Sequence, residues 1–242
     1  MPHKSLSSRA GILDSMPFPL DRSIFDRDDL CIGREGRLSL FYAPFDSVNL
    51  DAKVVLLGLT PGWHQMRIGV DAYRSARNKG LSNESAQVAA KASAAFAGTM
   101  RARLVTWLNE LGVQHRLKIP SAADLFENGS LMHATSLLRY PVFVGDKYEN
   151  YGGRSPMVED SPLLRDLVSD LLTPELASLP TALVVPMGVA VARALAQLEV
   201  TSRDCCLIGF PHPSGANNGH SKKQFDANRS EMTSVVRRWR LD

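Results

Sequence analysis

The chain has 242 residues, 44% of them hydrophobic, and a net charge of +3. That length suits one large α/β domain or two small ones, and the apolar content supports a sizeable core. No run reaches the roughly eighteen apolar residues of a membrane span, and the N-terminus MPHKSLSSRAGILDSMPFP lacks the apolar stretch of a secretory signal. The sequence therefore predicts a soluble, cytoplasmic protein.

Residues 1–30, rich in Pro, Ser, Asp and Arg, read as an irregular N-terminal arm ahead of one domain over 31–242. Arg37–Ala43 is strand-like. Lys53–Gly58 is a short apolar run that stops at Thr60-Pro61-Gly62, the pattern of a buried parallel strand ending in a turn. Asn83 to about Gly98 reads as an Ala-rich helix. Thr99–Leu111 places Leu104, Trp107, Leu108 and Leu111 on one helical face, with Gly112 as its stop. Ser130–Leu138 is a further strand and Pro162–Leu172 an amphipathic helix. Ala182–Pro186 is a third buried strand, followed by a small-residue helix over Val189–Leu198. Cys206–Gly209 reads as a last strand and 221–239 as a basic terminal helix.

Short apolar strands alternating with helices predict an α/β fold: a single three-layer α/β/α domain around a short, mostly parallel sheet. Ligands of such sheets bind outside the carboxyl ends of the strands. Three polar segments fall there: Thr60-Pro61-Gly62, Thr135-Ser136 and His212-Pro213-Ser214.

The three cysteines, Cys31, Cys205 and Cys206, are odd in number and lack C-x-x-C spacing. That argues against a disulfide framework, a thiolate cluster or a zinc site, so neither a metal nor another cofactor is expected. Charge is uneven along the chain. Residues 218–242 hold six Lys/Arg (Lys222, Lys223, Arg229, Arg237, Arg238, Arg240) against three acids, which leaves the rest formally neutral. Such a helix reads either as a phosphate-contacting surface or as a solvated face.

Gly58-Leu59-Thr60-Pro61-Gly62 follows a strand without the G-x-G-x-x-G pattern or the lysine of a phosphate loop, so a nucleoside triphosphate site is not expected. Pro with Gly makes a tight turn that a ligand can approach closely; a plain strand-to-helix turn is the alternative. In Phe210-Pro211-His212-Pro213-Ser214, two prolines hold His212 in an extended loop, and small residues follow through Asn218. A rigid imidazole there is either a donor to an oxygen that gains negative charge or a satisfied structural histidine.

Gly58-Leu59-Thr60-Pro61-Gly62 after a strand, with His212-Pro213-Ser214 after the last strand, resembles the paired signatures of the uracil-DNA glycosylase superfamily. Members carry G-Q-D-P-Y, G-I-N-P-G, G-M-N-P-G or G-E-A-P-G in the first place and H-P-S or a relative in the second. Ala95-Phe96-Ala97-Gly98 with Leu104–Leu108 is similar to the P-F-V-G segment and helix of the iron–sulfur branch. Thr135-Ser136-Leu137-Leu138-Arg139 resembles its T-N-V-V-K stretch, and Leu183–Ala194 its strand–Gly–helix segment. The likeness runs in order from Lys53 to Asn218.

That resemblance implies a monofunctional DNA-repair enzyme of base excision repair, a hydrolase that cuts the N-glycosidic bond of uracil, or another deaminated base, in single- or double-stranded DNA. The damaged nucleotide is taken out of the stack into a pocket. His212 then stabilises the departing base anion, with Thr60 as the second catalytic position. Gly58, Pro61, Gly62, Phe96 and Ser136 bind the base, with Phe96 stacking on it. Ser214, Gly215, Ala216, Asn217 and Asn218 contact the DNA backbone and minor groove. A monomer is expected.

The likeness breaks at several positions. Thr60 stands where many members carry Asp or Asn, and Leu59 where others carry Glu, so the first motif has no general base. Ser136 replaces the Asn that reads the pyrimidine edge, and the four cluster cysteines of the iron–sulfur branch are absent. Water is then left to polar neighbours such as His64, Gln65 or His133. The alternative reading is a catalytically silent DNA-damage-binding module of the same fold. An unrelated α/β hydrolase is disfavoured because no G-x-S-x-G is present.

Overall fold

The computed structural model describes residues 9–96, 99–127, 129–200, 204–214 and 218–241. In chain order its elements are α1 (Ala10–Leu13), β1 (Cys31–Glu35), β2 (Leu38–Phe41), β3 (Val54–Gly58), α2 (Trp63–Asn78), α3 (Asn83–Ala94) and α4 (Thr99–Glu110). Next come α5 (Val113–Leu117), α6 (Asp124–Glu127), β4 (Met132–Ser136), β5 (Val142–Val144), β6 (Glu149–Asn150) and α7 (Pro162–Leu167). The chain ends with α8 (Thr173–Ala177), β7 (Leu183–Pro186), α9 (Val189–Gln197) and α10 (Asn218–Arg238). The fold is α/β. Among the described residues no helix is long and apolar enough to cross a membrane.

The chain packs as two compact units. The first comprises the described residues to Ser47, Thr60–Ala95 and Leu138–Leu167. The second comprises Val48–Leu59, Phe96–Leu137 and the described residues from Val168.

The first unit holds an antiparallel sheet of order β1-β2-β5-β6, which the expectation of a mostly parallel sheet missed. Its strands are two to five residues long, too short for alternation to register. Phe41 and Phe143 from this sheet meet Phe25 edge-on, and Tyr148 stacks on Phe25 at 4.3 Å. Residues 9–30 hold α1 and a 3-10 turn over Arg22–Asp26 between irregular stretches. Leu13, Met16, Leu20, Ile24, Phe25 and Leu30 are buried, and the Leu20 amide donates to Asp71 Oδ1 of α2. Helix α2 buries Met66, Val70 and Tyr73, spaced for one face, and Tyr73 donates from its hydroxyl to Asn83 of α3.

The second unit is built on a parallel sheet of order β4-β3-β7. Register pairs Val54 with Met132 and Leu183, and Gly58 with Ser136. Successive side chains alternate between the two faces. Val54, Leu56, Leu183 and Val185 join Leu104, Trp107 and Leu108 of α4 with Phe225, Met232 and Val235 of α10, and with Trp239 just beyond it, in one core. On the other face His133 meets Glu175 of α8. Burial on both faces explains the uninterrupted apolar runs of β3 and β7, whereas β4, at the edge of the sheet, alternates and carries His133, Thr135 and Ser136.

The expected last strand, Cys206–Gly209, is not one. Only Cys206 bridges to Val184, and the chain then turns at Gly209, whose φ is +93°. The helix expected over Pro162–Leu172 is α7 to Leu167, continued by a wider π-type turn over Val168–Leu172.

Candidate functional site

In the second unit, Gly58 and Ser136 lie side by side at the carboxyl ends of β3 and β4. A Cβ at residue 58 would sit 3.5 Å from Ser136 Oγ, so glycine keeps this strand end open beside the hydroxyl. Strand β7 leads through buried Met187 to Gly188, which opens α9 with φ +94°. The Gly188 amide donates to the Phe210 carbonyl at 2.9 Å, and a Cβ there would stand 3.3 Å from His212 Cβ. The start of α9 and the His212 loop are thus laid against each other by a residue that needs no side chain.

Within that loop Pro211 and Pro213 are buried and His212 between them is exposed, as extended backbone dictates. Side chains from α4 and α10 brace it. Arg103 Nη1 donates to the carbonyls of Pro213 and Ser214, each at 2.9 Å. Ser221 Oγ donates to the His212 carbonyl at 3.4 Å and Gln224 Nε2 to the Gly209 carbonyl at 3.2 Å. None of these braces is legible as a motif, since a lone Arg on an amphipathic helix reads as surface.

The Ser214 amide donates to His212 Nδ1 at 3.1 Å, and Ser214 Oγ lies 2.9 Å from the same nitrogen. An amide N–H can only donate, so Nδ1 carries the lone pair and the ring proton belongs on Nε2. Although the residue is exposed at its edge, the surrounding protein desolvates the ring and lowers its pKa below 6.5. The result is a neutral imidazole whose Nε2–H is a donor.

Phe96 is partly buried against the core that contains Trp107, and its carbonyl accepts from Arg101 Nε at 3.0 Å. Its packing is that of an aromatic at the core edge. Of the DNA-contact positions, Ser214 is set by its bonds to His212. Gly215, Ala216 and Asn217 lie outside the described residues, and Asn218 opens α10.

Thr60, Pro61 and Gly62 belong to the first unit. Thr60 Oγ1 donates to the Tyr140 carbonyl at 3.0 Å and accepts the Val142 amide at 3.1 Å. Its hydroxyl ties the turn to the segment entering β5. Gly62 caps α2: its amide donates to Gln65 Oε1 at 3.0 Å, and the Trp63 amide donates to Asn150 Oδ1 at 2.8 Å. A Cβ at Gly62 would come within 3.1 Å of the Asn150 carboxamide. The spacing of Gly62 and Gln65 is half of a capping box, a signal the sequence carries.

Two of the three polar groups named for positioning water are committed elsewhere. Gln65 caps its helix. His133 is buried, 2.5 Å from Glu175 Oε1 through Nε2, and its Nδ1 accepts the Asn49 amide at 3.4 Å. His64 is exposed. Among the described residues no group of three or more His, Cys, Asp or Glu is arranged to hold a metal ion.

No family model matches the chain, and no solved structure matches it. It is 35% identical over 228 residues to the uncharacterized protein YoxB of Bacillus subtilis (strain 168), a match covering 92% of this chain and 88% of that protein. The chain belongs to the family of Bacillus subtilis YoxB.

Proposed function

We propose that the protein is a monofunctional DNA glycosylase of base excision repair that acts as a cytoplasmic monomer on uracil, or another deaminated base, in DNA. The observation that carries this reading is the state of His212. Its Nδ1 is an acceptor for the Ser214 amide, which leaves Nε2–H as a fixed donor on an exposed ring. Gly58 and Ser136 belong to the same unit, at strand ends that in parallel sheets border ligand sites.

In the proposed reaction the C1′–N1 bond breaks and its electron pair leaves with the base, as an anion spread over N1 and O2. His212 Nε2–H donates to O2. Water adds to the cationic C1′ and releases a proton to solvent, while the departed base anion takes one up from solvent, so the products are the sugar hydroxyl and the neutral base. Stabilising the departing anion is the larger contribution when bond breaking runs ahead of water attack, so a first motif without an acid is compatible with turnover. Ser136 offers one hydroxyl to the base edge where an amide would offer a donor and an acceptor, so base discrimination is expected to be loose.

The alternative, a silent module that binds damaged DNA, is favoured by one observation: the Thr60 hydroxyl is spent on Tyr140 and Val142. Single-turnover base release separates the two. Oligonucleotides carrying uracil, hypoxanthine or xanthine, single- and double-stranded, are incubated with excess protein. Base release that disappears in His212→Ala supports the glycosylase. Damage-selective binding without release supports the module.

A further inference from the structure

We infer that Arg103 is a positioning residue that fixes the tautomer of His212 by holding the Pro213–Ser214 turn. The catalytic consequence of this inference rests on the glycosylase reading; the positioning itself does not.

The groups packed against the loop are Gly188 at the start of α9, Arg103 of α4, and Ser221 and Gln224 of α10; of these Arg103 is charged. One guanidinium nitrogen bridges two successive carbonyls, those of Pro213 and Ser214. Fixing both carbonyls fixes the peptide plane between them, and that plane carries the Ser214 N–H that meets His212 Nδ1. Without the bridge, Pro213 still restricts its own backbone, but the Pro213–Ser214 peptide is left to the contacts of Ser214 with His212 Nδ1.

The guanidinium is itself held. Half-buried Arg103 lies over the Trp107 ring at 5.9 Å, and Trp107 stacks on Phe225 at 5.3 Å with an interplanar angle of 14°. Phe210, at the root of the His212 loop, meets Trp107 edge-on at 5.7 Å. Arg103 thus stands on an aromatic platform assembled from α4, α10 and the loop that it braces. Charge-assisted bonds from Arg to carbonyls are the strong class, and stacking pre-orients the fork. The chain arrives at a donor-ready Nε2–H through backbone geometry, without a carboxylate on Nδ1.

The test uses the free full-length protein and isotope-edited NMR of the His212 ring and the Ser214 amide, in wild type, Arg103→Ala and Arg103→Gln. Gln keeps part of the stem over Trp107, so it reports should the Ala variant fail to fold. With the bridge gone, the Ser214 amide exchanges faster by about tenfold or more. The Nδ1–H tautomer becomes populated, and the titration midpoint of His212 rises by about half a unit or more. Unchanged amide exchange and an unchanged tautomer overturn the inference. A shifted midpoint with those two unchanged also overturns it, because removal of a nearby positive charge then explains everything. If wild type releases base, these variants lose about tenfold in kcat with KM little changed. If wild type releases none, the functional proposal fails while the NMR result still decides the role of Arg103.

Discussion

The hydroxyl of Thr60 donates to the carbonyl of Tyr140 at 3.0 Å while accepting the amide of Val142 at 3.1 Å. A single side chain therefore serves as a clip between the turn after β3 and the chain entering β5. Thr60→Ala leaves both backbone groups without this partner and is expected to cost about 1–2 kcal/mol, with Thr60→Ser recovering most of it. The urea midpoint measures this, and an unchanged midpoint in Thr60→Ala removes the clip.

In single-turnover base release, His212→Ala is expected to cost about a hundred- to a thousandfold, the usual loss for one donor to a developing oxyanion. Thr60→Ala, whose hydroxyl is engaged with backbone, is expected to cost about tenfold or less, below the range of general-base removal. Should Thr60→Ala be the more damaging change, anion stabilisation by His212 is not the main contribution.

Desolvation by the surrounding protein holds the His212 pKa below 6.5, so the neutral, donor-ready ring persists as pH falls through that value. The acid limb of kcat/KM is accordingly expected to have its midpoint below 6.5. Stability follows the same sign. The unfolded chain takes up this proton first, so His212 withdraws stability as pH drops from 6.5 toward its folded value and has no effect above it. An acid limb centred at or above 6.5 contradicts this assignment.

On α10 the exposed Lys222 pairs with Asp226 at 3.1 Å, and Arg229 lies 3.5 Å from Glu110 of α4. Exposed pairs of this kind contribute only about 0–1 kcal/mol, so a phosphate can compete for either cation. Neutralising Lys222, Lys223 and Arg229 is expected to weaken DNA binding. The slope of log affinity against log salt should flatten by about 0.9 for each duplex phosphate that the variant no longer neutralises. An unchanged slope makes this face a solvated one.

His133 and Glu175 are both nearly inaccessible, 2% and 1% exposed. Replacing one member leaves the other buried without its partner, and His133→Ala is expected to cost about 3–5 kcal/mol in urea unfolding. The double replacement His133→Leu/Glu175→Leu is expected to lie closer to wild type than either single change. A double variant that loses the sum of the two singles shows that the pair is not coupled.

Strands β3 and β7 are legible in the sequence because burial on both faces leaves continuous runs such as Lys53–Gly58, and α4 and α10 because each keeps one apolar stripe. Of the antiparallel sheet only β2 shows in the sequence, within Arg37–Ala43; its other strands are too short to show a period, with Val142–Val144 as an example. Helix α2 escapes a sequence reading although Met66, Val70 and Tyr73 fall on one face, because Pro61-Gly62 looks like the end of one element rather than the start of the next. Cys206–Gly209 misleads because a short apolar run that makes a single bridge looks the same in sequence as a strand, although Ile208 in it is exposed. At the site, His212 stands out between its prolines. Arg103 does not, because its work is done on backbone groups distant in sequence, and no local spacing encodes such an interaction.

The first unit leaves and rejoins the second at particular points. The chain passes into it between Leu59 and Thr60, one residue after β3, and again between Leu137 and Leu138, one residue after β4. The first unit is therefore discontinuous in sequence: Thr60–Ala95 and Leu138–Leu167 are two cassettes that follow strands of the parallel sheet and pack with the described residues up to Ser47. Loops there absorb added length at little entropic cost. Divergence within the family should then concentrate its insertions and deletions inside the cassettes, while β3, β4 and β7 keep their lengths. Neither unit can be expressed as a contiguous fragment without cutting through Gly58-Leu59-Thr60-Pro61-Gly62 itself.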